Sequence, residues 1–257
     1  MREKISACIT AGNEEAHIRN CLESVMWTDE IVVIDSFSKD KTAEICKEYT
    51  NMVYQHRWLG YIGQKNLIKE LASGSWIFFV DADETVSKDL KTEILAEFES
   101  GNSNNYNGYE FPRMVKYLGR WIKHGDWYPD IKLRLFRKDS GHCTGKEPHD
   151  RIHVDGKVKR LKSPLCHFTY NDISDQIATI NRFSSISASG NFEDGQRFHY
   201  MDIIFRPVFK FMRSYFIKRG FLDGFPGFIV AISISYSVFI KYAKLWEIEK
   251  GLAGKQG

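Results

Sequence analysis

Hydrophobic and polar positions alternate in blocks along the first hundred residues, and these blocks predict alternating strands and helices. Apolar runs too short for a helix predict buried strands, whereas apolar residues spaced three and four apart predict amphipathic helices. The predicted strands are Ile5–Thr10, Glu30–Ile34, Asn51–Gln55 and Trp76–Val80, and the helices that follow them end near Val25, Tyr49, Leu71 and Phe98. This order is typical of a doubly wound, mainly parallel α/β sheet.

The strand Trp76–Val80 ends in two carboxylates, within Asp81-Ala82-Asp83. In open α/β sheets ligands bind outside the carboxyl ends of strands, and carboxylate oxygens suit Mg²⁺ or Mn²⁺. A structural alternative is that Asp83 or Thr85 starts the helix Ser87–Phe98. Asn13 has the same two interpretations, because it follows the first strand and would also make a good helix N-cap.

The middle of the chain mixes predicted strands and turns: Tyr109–Met114, Lys132–Arg137, Val158–Leu161 and Cys166–Thr169. Aromatic side chains are concentrated between Tyr117 and Tyr128, and their rings can either stack on sugars or pack in a core. We favour Trp127, in the turn Gly125–Pro129, and then Trp121 as residues that contact a bound sugar. The positions of Arg134 and Arg137 cannot be fixed from the sequence.

After a predicted helix at Asn171–Ser189 the composition changes. A set of apolar residues falls on one helical face, namely Phe205, Val208, Phe209, Met212, Tyr215 and Phe216. Five basic residues and no acid occur between Arg206 and Arg219, which predicts a basic amphipathic helix lying in an anionic membrane interface. The uncharged stretch Gly224–Ile240 is shorter than the ~20 residues that span a bilayer. Alternatively, both segments pack against each other or against a partner subunit.

Composition indicates the cellular compartment in which the protein resides. The net charge of the 257 residues is only +3, and the five cysteines form no CxxC pair. We therefore expect reduced thiols and no zinc site, as in a cytoplasmic protein. The N-terminus shows no signal-peptide apolar region, and neither a GxGxxG fingerprint nor a Walker P-loop is present.

Four motifs in the first ~100 residues resemble those of family 2 glycosyltransferases of the GT-A fold. They are Thr10 with Asn13-Glu14-Glu15, Asp35–Thr42, Gly63–Asn66 with Ala72–Gly74, and Asp81–Asp83. Within this family the chain most resembles the small bacterial β-1,4-glucosyltransferases that act on the lipopolysaccharide inner core. The segments that carry this closer similarity are Tyr117–Trp121, Leu133–Arg137, His149-Asp150 and Leu165–Phe168.

The resemblance implies a GT-A domain over residues 1–170, with a nucleotide-binding half (1–100) and an acceptor and catalytic half (101–170). Residues 171–257 would form a helical, membrane-associating extension. Asp35 would accept a hydrogen bond from the nucleotide base, Asp81 would contact the ribose, and Asp83 would hold Mg²⁺ or Mn²⁺ on the diphosphate. The nucleotide-binding set is Thr10, Asn13, Glu14, Asp35, Lys65, Asp81, Ala82 and Asp83, and the metal-binding set is Asp83, Asp81 and His167. A surface lysine such as Lys65 is more often simply solvated, and a lone histidine such as His167 is more often a core residue.

Inverting transfer needs a base that takes the proton of the acceptor hydroxyl. The family pattern has a histidine followed by an acid, usually Glu, and here Asp150 follows His149. Glu147 is the second candidate, and the structural alternative for both is an exposed loop of mixed charge.

The resemblance thus implies transfer of a hexose from a UDP-sugar to a lipid-linked saccharide acceptor at the cytoplasmic face of the membrane. No nucleic acid partner is expected, and self-association into a homo-oligomer stays open. One alternative is a haloacid-dehalogenase-like phosphatase, because Phe78–Thr85 matches hhhDxDxT with Asp81 as nucleophile and Asp83 as acid/base. Another is a non-catalytic nucleotide-sugar-binding protein.

Overall fold

A computed structural model describes residues 2–146, 149–170 and 172–252. The chain divides into two compact units, the first formed by Met1–Arg113 with Asp130–Phe168 and the second by Met114–Pro129 with Thr169–Gly257. This division differs from a boundary at residue 170, because the segment Met114–Pro129 groups with the C-terminal helices. The reason is apolar burial: Tyr117 and Ile122 share a core cluster with Val230.

The described residues form twelve strands and seven α-helices. The strands are β1 Ile5–Ala11, β2 Glu30–Asp35, β3 Val53–Gln55, β4 Trp76–Asp81, β5 Glu84–Val86, β6 Gly108–Tyr117, β7 Arg120–Trp121, β8 Asp130–Arg137, β9 Gly141–Lys146, β10 His149–Val154, β11 Val158–Arg160 and β12 Leu165–His167. The helices are α1 Ile18–Val25, α2 Thr42–Tyr49, α3 Gly60–Leu71, α4 Lys88–Glu99, α5 Ile173–Glu193, α6 Tyr200–Met212 and α7 Gly224–Glu249.

The predicted α/β sheet is present, with strand order β3-β2-β1-β4-β8-β6-β12-β5. The first four of these strands run parallel, and β8 then pairs antiparallel with both β4 and β6. The register places Ala11 beside Asp35 and Thr10 beside Asp81, so β1, β2 and β4 end at one edge of the sheet. A separate antiparallel pair joins β9 and β10.

Strand β4 is buried on both faces, which explains its unbroken apolar run. Trp76, Phe78 and Val80 belong to one core cluster, whereas Ile77 and Phe79 belong to the other. Because side chains alternate across a strand, the two clusters lie on opposite faces of the sheet. The strand therefore fixes the position of the acidic residues that follow it.

Neither of the two helix-capping alternatives is observed. Helix α4 is capped by Ser87, whose hydroxyl accepts from the amide of Leu90, so neither Asp83 nor Thr85 is needed there. Helix α1 begins only at Ile18, and Asn13 lies upstream in a left-handed turn with φ of 58°. Both Asn13 and the Asp81–Asp83 acids are therefore free of capping roles.

In the second unit, the side chain of Asp172 caps α5 by accepting from the amide of Asp175. Helix α6 continues into a π-helical turn at Arg213–Ile217. Helix α7 is longer than the uncharged stretch Gly224–Ile240, because it continues through Lys241 and Lys244 to Glu249. By length and composition, Gly220–Glu249 could cross a membrane.

Candidate active site

The loops after β1 and β2 are joined by hydrogen bonds. The amide of Lys39 donates to Asn13 Oδ1, and the amide of Asn13 donates to Ser38 Oγ, both at 2.8 Å. Asp35 is fully buried and accepts from the amide of Ser38 at 3.1 Å and from Gln55 Nε2 at 3.2 Å. In this arrangement Asn13 and Asp35 shape the loops at the carboxyl edge of the sheet.

Glu14 lies at the same edge and is half-buried. Its amide donates to Thr42 Oγ1 at 2.8 Å, which holds the loop before α2. Burial, followed by repulsion from the Asp83 and Asp40 carboxylates, raises the pKa of Glu14 to about 7. The negative charges gathered here therefore repel one another, as expected where a cation is to bind.

Asp83 contacts His167, with Oδ2 2.9 Å from Nε2. His167 reaches this position because β12 pairs antiparallel with β5, with His167 opposite Glu84. A carboxylate oxygen and an imidazole nitrogen this close fit Mn²⁺ or Mg²⁺ whose other ligands are diphosphate oxygens and water. The described residues contain no group of three or more His, Cys, Asp or Glu side chains suited to a metal. A metal at Asp83 and His167 would thus depend on the substrate for most of its ligands.

Asp81 has a different environment. Arg134 donates to both of its oxygens, and Lys65 Nζ lies 3.4 Å from Oδ1. Burial alone would raise the pKa of Asp81, but the charges of Arg134 and Lys65 outweigh it and hold that pKa well below its usual range. Because both oxygens already face cations, Asp83 and His167 are better placed than Asp81 to ligate a metal.

A β-bulge directs Arg134 into the site. The register between β6 and β8 shifts, so that Tyr109 faces Leu135 whereas Glu110 faces Leu133, which leaves Arg134 as the extra residue. The guanidinium also lies 3.0 Å from Glu84 Oε1. Sequence analysis missed this role, because strict alternation along β8 gives no sign of the inserted residue.

Glu84 extends the charge network into the core. It is fully buried, accepts from the amide of Asp81 at 3.0 Å and lies 3.3 Å from Arg113. Arg113 in turn pairs with Asp130 at 2.7 Å. A buried ion pair is costly to break, so this network fixes the position of Asp81.

Lys65 brings Asp150 into the cluster, contrary to the expectation of a solvated side chain. It is 5% exposed, and its Nζ lies 2.8 Å from Asp150 Oδ2 as well as near Asp81. Cys143 Sγ also contacts Oδ2, at 3.7 Å. Asp150 Oδ1 makes no hydrogen bond within the described part of the chain. The second base candidate, Glu147, lies outside the described residues.

The remaining predicted nucleotide residues, Thr10 and Ala82, lie at the ends of β1 and β4, with Ala82 buried. The predicted acceptor residues belong to the second unit. Trp121 lies on β7 with Lys116 Nζ 5.9 Å from its ring centre. Trp127 packs against Tyr117 and Tyr170, with ring centres 5.3 and 5.8 Å away.

Comparison with known proteins identifies related sequences. The family model described as "Glycosyl transferase family 2" matches residues 6–154. The lipopolysaccharide core biosynthesis glycosyltransferase LpsC of Rhizobium meliloti is 32% identical over 95% of this chain and 92% of the relative. An uncharacterized glycosyltransferase of Rickettsia typhi is also 32% identical, over 96% of this chain and 88% of the relative.

Solved structures share the fold at low sequence identity. The mannosyltransferase PcManGT of Pyrobaculum calidifontis, solved with GDP-Man and Mn²⁺, aligns with a TM-score of 0.53 at 10% identity, over 96% of this chain and 88% of that chain. TarS 1-349 of S. aureus, solved with UDP-GlcNAc, aligns with a TM-score of 0.50 at 15% identity, over 98% of this chain and 93% of that chain.

Proposed function

The chain belongs to glycosyltransferase family 2, and we propose that it transfers a hexose from a UDP-sugar to a lipid-linked saccharide, with inversion and with a divalent metal. The observation that carries the proposal is the set of contacts that Asp81, Asp83 and Asp150 make with two side chains, Lys65 and His167. Lys65 joins Asp81 to Asp150, and His167 contacts Asp83.

Each group has a distinct part in the proposed reaction. Asp150 Oδ1 accepts the proton of the attacking hydroxyl, while Lys65 on Oδ2 fixes the orientation of the carboxylate. Asp83 and His167 would hold the metal, which would offset charge on the leaving diphosphate. Asp81 contacts the ribose from a position fixed by Arg134.

The proposed acceptor follows from the relative in R. meliloti, whose name places it in lipopolysaccharide core biosynthesis. A lipid-linked acceptor also suits the surface of the second unit. Helix α6 exposes large apolar side chains, including Phe205 and Phe209, and basic residues occur along the same segment. We propose that this face lies in the anionic inner surface of the membrane without crossing it.

The phosphatase alternative is set aside. Its nucleophile would be Asp81, but both oxygens of this carboxylate are paired with Arg134, and the family match covers the motif. A non-catalytic binding protein would keep the donor site and lack the base, so tests of binding and turnover together separate it from an enzyme.

Donor binding is tested first by calorimetric titration of the protein with UDP and with GDP, each with and without Mn²⁺. We expect UDP binding that requires the metal and is lost in Asp83→Ala. The GDP arm matters because two proteins of this fold carry different nucleotides. Absence of UDP binding in every condition would contradict the UDP assignment.

Catalysis is then tested with Asp150→Asn, using release of UDP from a panel of UDP-sugars. We expect a loss of turnover of at least ~100-fold with retained UDP affinity. The matched control is Asp155→Asn, because the Asp155 side chain is 83% exposed. Unchanged turnover in Asp150→Asn would exclude it as the base.

A further inference from the structure

The second unit contains a cavity of its own, about 330 Å³ in volume. This is at the lower end of the roughly 300–1,000 Å³ typical of small-molecule pockets. Short hydroxyl side chains line it from two helices, Ser184 and Ser187 from α5 and Ser233 and Ser237 from α7. Spacings of three and four place each pair on one helical face, so both helices contribute hydroxyl groups to the cavity. The same helices also contribute apolar side chains, namely Ile180, Phe183, Ile234 and Val238.

A buried amide on the cavity wall has an unused donor. Gln176 is 1% exposed, and its Oε1 accepts from the hydroxyl of Tyr117 and from Ser233 Oγ. Its Nε2 has no hydrogen-bond partner among the described residues. Because buried polar groups are almost always hydrogen-bonded, this donor indicates an acceptor atom that the described residues do not supply.

A half-buried ammonium lines the same cavity. No carboxylate within the described ranges lies at ion-pair distance from Lys241 Nζ, and the nearby acid Asp202 is paired with Arg206. Burial and the neighbouring charges of Arg206 and Lys210 lower the pKa of Lys241. An anionic group in the cavity would compensate this concentration of positive charge.

Aromatic rings complete the wall, with Trp127 and Tyr170 tilted by 36° to each other. Flat rings suit the C–H faces of sugars, and hydroxyl groups suit their oxygens. Ser184, Ser233 and Ser237 already donate hydrogen bonds within the chain. An acyl chain would still leave Gln176 Nε2 and the ammonium of Lys241 without an acceptor, so the polar part of the wall favours a sugar.

We propose that this cavity binds a sugar residue that carries an anionic substituent, a phosphate or a carboxylate. The substituent faces Lys241, Gln176 Nε2 donates to a ligand oxygen, and the ring lies against Trp127. The inference rests on the proposed function, since a glycosyltransferase would use such a site to select an anionic sugar of its acceptor.

The test is ligand-observed NMR and calorimetry on the intact protein with four probes: mannose 6-phosphate, glucuronate, mannose and inorganic phosphate. We expect saturable binding of at least one of the first two, about tenfold tighter than that of mannose or phosphate alone. A preference between mannose 6-phosphate and glucuronate identifies the substituent. If neither binds, or if decyl maltoside binds and neither anionic sugar competes, the proposal is overturned.

Three variants locate the binding site. Lys241→Gln should weaken binding of the anionic probe about tenfold, and Ser187→Leu, which fills the cavity, should abolish its binding. Gln176→Glu keeps an acceptor for Tyr117 and replaces the donor by a carboxylate that repels an anion, so this variant should also fail to bind the anionic probe. The control Lys250→Gln, at an exposed lysine after α7, should bind as the parent does. Equal affinity in Lys241→Gln and the control would refute the assignment.

UDP binding is measured on the same samples and should be unchanged by all four substitutions. A protein that binds the anionic sugar but not UDP contradicts the proposed donor and leaves the cavity assignment supported. A protein that binds UDP but no anionic sugar contradicts the cavity assignment alone.

Discussion

In the first unit the acidic residues at the end of β4 have partners within the chain, whereas in the second unit a buried amide nitrogen at the cavity has none among the described residues. Asp81 pairs with Arg134 and Lys65, Asp83 contacts His167, and Glu84 lies between two arginines. In contrast, Gln176 Nε2 has no partner in the described part of the chain.

This difference separates two ways of building a binding surface. Isolated buried charges cost several kcal/mol, so internal partners allow the first unit to hold its acids in place before a ligand arrives. Exposed apolar groups and an unused buried donor instead gain from partners outside the chain. The substitutions below test whether the first unit is internally supported and whether the second depends on external partners.

The largest effect is expected for Arg134→Met. It leaves Asp81 and Glu84 without their shared cation in a buried site, and we expect a loss of about 3–5 kcal/mol in the free energy of unfolding, measured in urea.

The control is Arg160→Met, because Arg160 is 62% exposed in its pair with Glu110 and should cost less than about 1 kcal/mol. Similar small losses in both variants would mean that the network around Arg134 does not support the fold.

The next effect concerns Lys65→Met. Loss of its contacts with Asp150 and Asp81 should reduce turnover by about 10–100-fold, from the ~1.5–3 kcal/mol of a hydrogen bond to a charged group. The measurement is UDP release from the best donor. Lys69→Met, one turn along α3, provides the control, and an equal loss there would assign the effect to the helix instead of the contact.

Much of the fold could be predicted because it depends on local pattern. Helix α2 ends at Tyr49 as predicted, and the apolar run of β4 indicated burial on both faces. Helix α7 was underestimated because Lys241 and Lys244 interrupt the uncharged run without ending the helix. The motifs also indicated that Asp81, Asp83 and Asp150 belong to the candidate active site.

The contacts that join these residues could not be predicted, because they are non-local. The sequence indicated that Lys65, on α3, is a solvated surface residue. In the structure Asp150, on the strand β10 that pairs with β9, lies beside it. Arg134 depends on a bulge that side-chain periodicity does not encode. The segment Met114–Pro129 was assigned to the first domain because its burial partners occur about a hundred residues later.

A smaller effect is expected for Phe205→Ser with Phe209→Ser, which alters the exposed apolar face of α6. These residues are 56% and 60% exposed, so folding stability should hardly change, whereas binding to phosphatidylglycerol vesicles should fall about tenfold. Vesicle flotation measures this binding. Vesicles of phosphatidylcholine, which has no net charge, show how much of the binding depends on lipid charge.

The control replaces two exposed isoleucines on another helix, Ile177→Ser with Ile186→Ser, which are 48% and 44% exposed. Equal losses in both double variants, or no binding of the parent protein to anionic vesicles, would contradict a membrane role specific to α6.

The smallest effect concerns Glu14, the acid of the first unit whose surroundings are repulsive. Its pKa is raised from 4.5 to about 7, so the folded metal-free protein holds a proton that the unfolded chain releases. The associated stability is fully present below pH 4.5 and is lost as pH rises through about 7. Glu14→Gln removes this titration and should be more stable than the parent by about 1 kcal/mol at pH 8, with a smaller difference at pH 5.

Urea unfolding in EDTA at several pH values measures this, with the exposed Glu44→Gln as control. Added Mn²⁺ should reduce the advantage of Glu14→Gln at pH 8, because a cation near Asp83 favours the ionised form of Glu14. If Glu14→Gln and Glu44→Gln show the same pH dependence, the acids at this edge of the sheet do not repel one another. The contrast between the units would then rest on the paired charges of Asp81 and Glu84 alone.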